Sequence, residues 1–262
     1  MIIIKKISGL ATVQDLGRVG YASQGVPRGG ALCPVLLRRA TRAVGNEDGA
    51  ACIEVFGRLV VVADASVGIA TERGEVATLQ SGEEYVVEPD AGLRVRYLAV
   101  GGGVAAPLVL GSRSTLVCFN DPLHAGSVIG AGVGVGAGVG VGVGVGVGVG
   151  AGAGAGVGVI AGPDAQGFDA FVSATWRIGA ASNRMGTRLD GPTLARATGD
   201  VLPSSPTVIG AIQLPAGGSP IVIGPDGPTT GGYPIIAVIA RAHLDAFHAL
   251  PLGASIAFTT QA

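Results

Sequence analysis

The stretch GAIQLP (residues 210–215) is followed by PIVIGPD (residues 220–226) and then by TTGGYP (residues 229–234). In the first two blocks a short apolar run is bounded by glycine and proline, a pattern typical of short β-strands joined by tight turns. The polar side chains are concentrated in the joints rather than in the runs. Because functional sites are often built on loops that a rigid sheet holds in place, the stretch predicts a β-rich fold with its site on these loops.

The same alternation of apolar runs and turns covers residues 51–100, where runs such as ACIEVF, RLVVVA and EYVVE are divided by ADAS, QSGE and EPDAG. Turns at this spacing favour an antiparallel sandwich or barrel. The glycine-punctuated residues 9–21 are predicted to form a loop. Further strands are predicted at residues 2–7, 235–240 and 254–258. Short helices are predicted at residues 34–44, 165–172 and 243–250. We expect a mainly β fold with a few short helices.

Residues 130–158 form a strict repeat in which every even position is glycine and the positions between are nine valines and five alanines. The repeat is long enough to cross a bilayer as a helix, but each interior glycine costs a helix about 1 kcal/mol relative to alanine. As a strand the uniform repeat carries no register information. We interpret it as a low-complexity insertion, either a mobile loop or an extended hairpin. It divides the chain into β-barrel units at residues 1–129 and 159–262.

Composition excludes several classes of function. The 17 basic and 18 acidic residues leave a net charge of −1, which gives no electrostatic footprint for nucleic acid or an anionic membrane. Three widely spaced cysteines argue against a disulfide framework and favour the cytoplasm. Lys5 and Lys6 are the only lysines, so the chain has no P-loop lysine for ATP and no lysine placed for covalent attachment of a carrier cofactor. Histidines and cysteines share no metal-site spacing, and no metal is predicted.

Two polar positions in the N-terminal half have alternative interpretations. Asp15 either caps a turn and pairs with Arg18, or Arg18 or Gln14 binds a carboxylate or an amide of a ligand. Arg113 lies between two serines, where it either clamps an anion or makes structural hydrogen bonds. At both positions the residues alone favour the structural role over contact with a ligand.

Six ordered blocks can be read along the chain: GLATVQDLGRVGYASQGVP, VGNE, GSRST, SNRMGTRLDGP, GAIQLP and TTGGYP. Together they resemble the biotin-dependent carboxyltransferase family, which includes the C subunit of bacterial 5-oxoprolinase, KipA and the carboxyltransferase domain of urea carboxylase. The resemblance covers nearly the whole chain apart from the repeat and its flanks. Several blocks in the right order are much more specific than any one of them.

The resemblance implies a cyclophilin-like β-barrel fold and a role as one subunit of a complex. Its 5-oxoprolinase members work with A and B subunits in the ATP-dependent opening of 5-oxoproline to glutamate, with ATP used by the partners. Its urea carboxylase members move a carboxyl group from a biotin carried by a partner to urea. Both substrates present an amide-like C(=O)–N group, and neither activity implies a cofactor bound covalently to this chain.

The family blocks also imply a set of site residues. Arginine and backbone N–H donors stabilise an oxyanion, and a carboxylate accepts a proton. The implied catalytic residues are Asp226 as proton acceptor with Arg184 and Arg188 as anion clamps. The implied substrate-binding residues are Gln213 as the reader of the amide, together with Thr229, Thr230, Gly231, Tyr233, Arg18 and Arg113. The structural alternative is that Pro225, Asp226 and Gly227 form an ordinary turn.

Three departures from the family pattern bear on activity. Cys33 stands where the family has an aspartate that would cap the following helix, a loss of about 1 kcal/mol. The GGFGG-like loop after GSRST is replaced, and the arginine of the family block ADRQTTGG is absent from PDGPTTGG. The loss of the aspartate and of the glycine loop favours the alternative of a KipA-like regulatory protein that antagonises a kinase inhibitor. A further alternative, a degenerate inactive paralogue, is supported only by the repeat.

Overall fold

The computed structural model describes residues 1–116, 119–131, 156–195 and 202–261. Most of the glycine-rich repeat therefore lies outside the described residues, and so does the interpretation of that repeat as a loop or hairpin. The described helices are α1 (Pro34–Ala43), α2 (Phe168–Ser173) and α3 (Arg241–Ala249), with one 3-10 turn at Ala22–Gln24. None of the helices in this part of the chain is long and apolar enough to cross a membrane. The mainly β prediction is confirmed, and all three helices lie within a few residues of their predicted positions.

The chain divides into two compact units. One consists of Met1–Arg18 and Gly29–Val147, and the other of Val19–Arg28 and Gly148–Ala262. The short segment Val19–Arg28 therefore belongs with the C-terminal half of the chain. The division predicted at residues 130–158 stays a prediction, because residues 132–155 lie outside the described part.

The first unit contains an eight-stranded sheet with the order β4-β3-β6-β2-β1-β8-β7, in which β5 also pairs with β2. Its strands are β1 (Ile2–Gln14), β2 (Cys52–Ala63), β3 (Val67–Thr71), β4 (Val76–Leu79), β5 (Glu84–Val87), β6 (Arg96–Val100), β7 (Val104–Ala105) and β8 (Val128–Ala131). Helix α1 contacts β2, β3 and β6, and Leu36, Leu37 and Ala40 are buried on one of its faces. Cys33 at its N-cap makes no side-chain capping hydrogen bond, as expected for the missing aspartate.

Strands β1 and β2 are longer than the sequence predicted. The loop prediction is wrong for residues 9–14, and ACIEVF and RLVVVA belong to one strand rather than two. Gly9 and Gly57 face each other across the ladder with φ values of +118° and +108°. A Cβ on Gly9 would lie 2.0 Å from the Phe56 carbonyl oxygen, and one on Gly57 would lie 2.1 Å from that of Ser8. The glycines therefore permit a close backbone approach within the sheet rather than marking turns.

The second unit contains a closed barrel with the order β10-β11-β14-β13-β16-β9-β17 and a separate ribbon of β12 and β15. Its strands are β9 (Val157–Ala161), β10 (Thr175–Ile178), β11 (Gly186–Asp190), β12 (Ser205–Pro206), β13 (Ala211–Gln213), β14 (Ile221–Ile223), β15 (Thr230–Gly231), β16 (Ile235–Ile239) and β17 (Ser255–Thr260). The barrel is filled by aliphatic side chains and by Phe171, Trp176, Phe247 and Phe258. Trp176 donates its indole N–H to the carbonyl of Phe171 at 2.9 Å, which satisfies its polar atom inside the core.

Candidate functional site

Two loops at one end of the barrel are tied together by Arg184 and Asp226. Strands β11 and β14 are antiparallel, with Gly186 opposite Ile223, so the turn before β11 lies beside the turn after β14. Arg184 donates from Nε to Asp226 Oδ2 at 2.8 Å and from Nη2 to Oδ1 at 2.7 Å. The Asp226 backbone N–H also donates to the Arg184 carbonyl at 3.2 Å. The sequence interpretation named both residues, and the structure brings them into direct contact.

The Arg184–Asp226 pair is bidentate and nearly buried, with side-chain exposures of 7% and 10%. A planar guanidinium matches a carboxylate in this geometry, which makes the interaction both directional and strong. Each oxygen of Asp226 accepts from a different nitrogen of Arg184, so the contact holds the positions of both turns. The predicted roles in anion binding and proton transfer stay predictions.

Arg188 lies on the exposed side of β11. Its backbone N–H donates to Ser182 Oγ at 3.0 Å, and its carbonyl accepts from the N–H of Gly179 at 2.8 Å. Alternation along the strand buries Thr187 and Leu189 and turns Arg188 outward. Its guanidinium is available to solvent, and its role as an anion clamp stays a prediction.

Gln213 is the last residue of β13 and is only 5% exposed. Among the described residues its Nε2 is buried without a hydrogen-bond partner. Gly231, in the β12–β15 ribbon, lies directly against it, since a Cβ on Gly231 would come within 2.7 Å of Nε2. A buried donor without a partner costs about 1–3 kcal/mol, and functional sites are one place where such groups are found. The structure thus brings together two residues that the family resemblance assigned to substrate binding.

The rest of the predicted ligand loop has mixed exposure. Pro206 and Thr230 pair across the ribbon, and the Thr207 N–H donates to the Thr229 carbonyl at 2.9 Å. Thr230 is exposed, and the Tyr233 side chain is 47% exposed. The loop therefore has a fixed backbone and presents side chains to solvent.

Strand register separates Gln213 from the Arg184–Asp226 pair. Gln213 lies opposite Ile221, the first residue of β14, whereas Asp226 follows the last residue of that strand. A strand advances about 3.3 Å per residue, so the amide and the ion pair lie toward opposite ends of β14. The prediction that these residues belong to one site stays a prediction.

Arg18 and Arg113 belong to the first unit. Arg18 is 2% exposed, donates from Nη2 to the Ser114 carbonyl at 2.7 Å, and places its guanidinium 5.4 Å from the centre of the Phe119 ring. Arg113 donates from Nη1 to the Ala106 carbonyl. Each contact joins an arginine to the backbone or to an aromatic ring of its own unit. Such contacts fit the structural role that the sequence allowed for these positions. Their proposed contact with substrate stays a prediction.

Asp15 organises this part of the first unit. It accepts hydrogen bonds from the hydroxyls of Ser112 at 2.7 Å and Ser114 at 2.5 Å. It also accepts from the backbone N–H groups of Arg113 at 2.6 Å and Gly17 at 2.7 Å. Burial raises the pKa of Asp15, but the hydrogen bonds from Ser114, Ser112 and these two N–H groups together lower it below 3.8. An ionised carboxylate thus joins the QDLGR and GSRST blocks, which sequence reasoning treated as separate.

A second polar cluster, buried in the first unit, was missed from the sequence. Glu72 accepts from Arg96 Nε and from the Tyr97 N–H at 2.8 Å. The Tyr97 hydroxyl donates to Glu54 at 2.6 Å. Burial, followed by the negative charge of Glu54, raises the pKa of Tyr97 well above 10.0. Glu54, Arg96 and Tyr97 lie in runs that the sequence predicts as strands, and Glu72 lies in the turn segment ERGE (residues 72–75), so only their burial reveals the cluster. No group of metal-ligating side chains occurs among the described residues.

Comparison with known proteins identifies the family. The family model of the carboxyltransferase domain, subdomain A and B, matches residues 24–260. The chain belongs to this carboxyltransferase family. This carboxyltransferase-domain protein is 33% identical over 281 aligned residues to the C subunit of 5-oxoprolinase from Escherichia coli (strain K12), covering 98% of this chain and 90% of that protein. The resemblance read from the sequence blocks is confirmed.

Two further proteins that are similar to the carboxyltransferase-domain protein are covered by it over only part of their own length. It is 34% identical over 139 residues to the urea amidolyase of Lachancea kluyveri, covering 46% of this chain and 8% of that protein. The solved structure of TTHA0988 matches with a TM-score of 0.83 and 25% identity, covering 98% of this chain and 55% of the other. The fold is therefore one that also occurs as part of longer chains.

Proposed function

We propose that this chain is a subunit of an ATP-dependent 5-oxoprolinase, which opens 5-oxoproline to glutamate together with A-type and B-type partner subunits. The similarity to a protein named as the C subunit of 5-oxoprolinase supports this, because it covers nearly the full length of both chains. The observation that carries the proposal is the buried Nε2 of Gln213, which has no partner among the described residues. A lactam carbonyl is an acceptor of the kind that this donor fits.

The proposed role of Gln213 is to donate a hydrogen bond to the lactam oxygen of the substrate. Negative charge develops on that oxygen when the amide carbon is attacked. A fixed donor in a site that excludes water stabilises such charge, and its removal typically costs a factor of about 10²–10³ in rate. Gly231 packs directly against this amide, and a Cβ there would come within 2.7 Å of Nε2, so the absence of a side chain at Gly231 lets Nε2 keep its position.

The other named residues divide into two roles in this proposal. We keep Arg188, Thr229, Thr230 and Tyr233 as proposed substrate contacts, since their side chains are available outside the barrel core. Arg184 and Asp226 are proposed as positioning residues that hold the turns at residues 182–185 and 224–227.

ATP is proposed to be used by the partner subunits. A second candidate function is carboxyl transfer to a urea-like substrate, which the match to a urea amidolyase favours. A biotin carried by a partner would supply the carboxyl group for that reaction. The ureido oxygen of biotin is an acceptor that Gln213 Nε2 also fits.

The test is reconstitution with the cognate A-type and B-type subunits and measurement of glutamate formed from 5-oxoproline and ATP. Gln213→Met removes the unpartnered polar group at nearly constant volume, so its thermal stability should equal or exceed that of the wild type. Its rate should fall about 10²-fold or more. Gln80→Met, at an exposed turn of the first unit, is the matched control and should retain full activity.

Two outcomes contradict the proposal. If the complex assembles but glutamate formation does not depend on this chain, the oxoprolinase assignment fails and the KipA-like binding role becomes the next hypothesis. If glutamate formation depends on the chain but Gln213→Met retains the wild-type rate, the assignment of the amide to Gln213 fails.

A further inference from the structure

Strand β9 begins inside the glycine-rich repeat, at Val157, and ends beyond it at Ala161. It pairs antiparallel with β16 and parallel with β17. Val157 and Val159 are 2% and 0% exposed and belong to the barrel core. Side chains of a strand alternate with a period of two, so a slip of two residues would keep the same alternation of glycine with an apolar residue. The repeat by itself therefore leaves the register of β9 undetermined.

Gly162, immediately after β9, lies against the backbone of β16. Its N–H donates to the Ile236 carbonyl at 2.9 Å. A Cβ on Gly162 would lie 2.0 Å from the Ile235 carbonyl oxygen and 2.9 Å from the backbone nitrogen of Ala237. Both obstacles are backbone atoms, so a change of side-chain rotamer would not relieve the overlap. The position therefore requires glycine.

The residues two positions before and after Gly162 are Ile160 and Asp164, and both carry a Cβ. A slip of two residues toward the C-terminus would bring Ile160 to the position of Gly162, and the opposite slip would bring Asp164 there. In either case the Cβ would overlap the Ile235 carbonyl. The second slip would also break two hydrogen bonds, from the Asp164 N–H to the Ile235 carbonyl at 3.2 Å and from the Ile235 N–H to Asp164 Oδ2 at 3.0 Å.

We propose that Gly162 and the Cβ of Ile160 fix the register of β9, and that the number of dipeptides in the repeat does not affect it. Ile160 is 50% exposed, so this role does not depend on burial of its aliphatic side chain. The register bears on the amide position, because β16 lies between β9 and β13 in the barrel and Ile235 is the partner of Gln213. The role of Gly162 and Ile160 does not depend on turnover of 5-oxoproline.

Two double variants that differ by one methyl group test this role. Ile160→Gly with Ala155→Val places a glycine two residues before Gly162 and a valine two residues before Val157. A strand slipped by two residues would then have glycine beside the Ile235 carbonyl and valine at both core positions. Ile160→Ala with Ala155→Val is the matched control, since it also shortens the side chain at residue 160 but keeps the Cβ that blocks the slip.

The measurement is the proton–nitrogen correlation spectrum of the full chain labelled at isoleucine, with Ile235, Ile236 and Ile239 of β16 as reporters. The wild type and the alanine control should give one signal for each reporter. The glycine variant should give a second set with at least about 10% of the intensity, because its two registers are close in free energy. Faster hydrogen exchange at the Gly162 N–H, which the slip would release from Ile236, identifies the second set as the slipped register.

A deletion tests the independence from repeat length. Removal of residues 138–145 takes out four glycine–valine dipeptides. It should leave one signal for each isoleucine reporter and a midpoint of thermal unfolding, followed by Trp176 fluorescence, within about 2 °C of the wild type. The proposal is overturned if the glycine variant gives a single set of signals, if the alanine control gives the same second set, or if the deletion produces a second set.

Discussion

Removal of either partner from the Arg184–Asp226 pair should destabilise the second unit strongly. Both side chains are at least nine-tenths buried, so Asp226→Ala leaves a guanidinium without its carboxylate and Arg184→Met leaves a carboxylate without its donors. Breaking a buried pair in this way typically costs about 3–5 kcal/mol. A unit of this size loses roughly 3–5 °C of melting temperature per kcal/mol. The expected decrease is therefore about 10–20 °C for each single variant.

The protein contains one tryptophan, and Trp176 lies in the core of the barrel. Its fluorescence during thermal or urea unfolding therefore reports on the unit that holds the pair. The double variant Arg184→Met with Asp226→Ala leaves no buried charge, so it should recover at least about 2 kcal/mol relative to the sum of the single effects. Asp48→Asn removes half of an exposed ion pair and serves as the control, with no change in the midpoint of unfolding followed by circular dichroism.

A positioning role for the pair is refuted if either single variant loses less than about 1 kcal/mol, the range of an exposed pair. Strict additivity of the two single effects would also refute it, because it would mean that the residues do not depend on each other. If the variants keep wild-type stability and lose only activity, the positioning role is wrong and a direct catalytic role takes its place.

Three further perturbations test the first unit by circular dichroism. Gly57→Ala should lower the free energy of unfolding by about 2–3 kcal/mol, because the new methyl group meets the Ser8 carbonyl. The control Gly74→Ala, also at positive φ but with nothing within 4 Å, should lower it by only about 1 kcal/mol. Equal losses in the two variants would contradict the close approach. The pKa of Asp15 is lowered on folding, so its contribution to stability is present above its unfolded pKa and is lost as pH falls through its folded pKa. Asp15→Asn should therefore make the free energy of unfolding fall less steeply below about pH 4. The same pH dependence in the variant and the wild type would contradict this. Glu72→Gln should cost about 3–5 kcal/mol, since it removes the charged partner of buried Arg96, and a loss below about 1 kcal/mol would show that the network does not matter.

The sequence predicted correctly those elements that depend on residues close together in the chain. The periodicity of residues 34–44 predicted α1, because a helix that buries one face has apolar residues every three to four positions. Apolar runs bounded by turn residues predicted β5 at EYVVE and β16 at residues 235–240, and this signal is also local in the chain. The departure at Cys33 correctly predicted an uncapped helix, since capping depends on a single side chain.

Glycine was where local reasoning failed. Gly9 and Gly57 resemble turn residues in sequence, yet each lies within a continuous strand. What each one accommodates is the carbonyl of a residue more than forty positions away. A short-range pattern contains no information about such a partner, so both strands were predicted too short.

By itself the sequence determined the fold class and the family, and it named the residues that are proposed for the site. Only the tertiary structure decided how those residues combine. Barrel register separates Gln213 from the Arg184–Asp226 pair along β14, and Asp15 joins two blocks about a hundred residues apart. Propensity and periodicity depend on neighbours in the chain, whereas pairing, burial and the direction of a side chain depend on which strands meet. That is the physical reason why the fold class and the family were predictable from the sequence and the contacts among the proposed site residues were not.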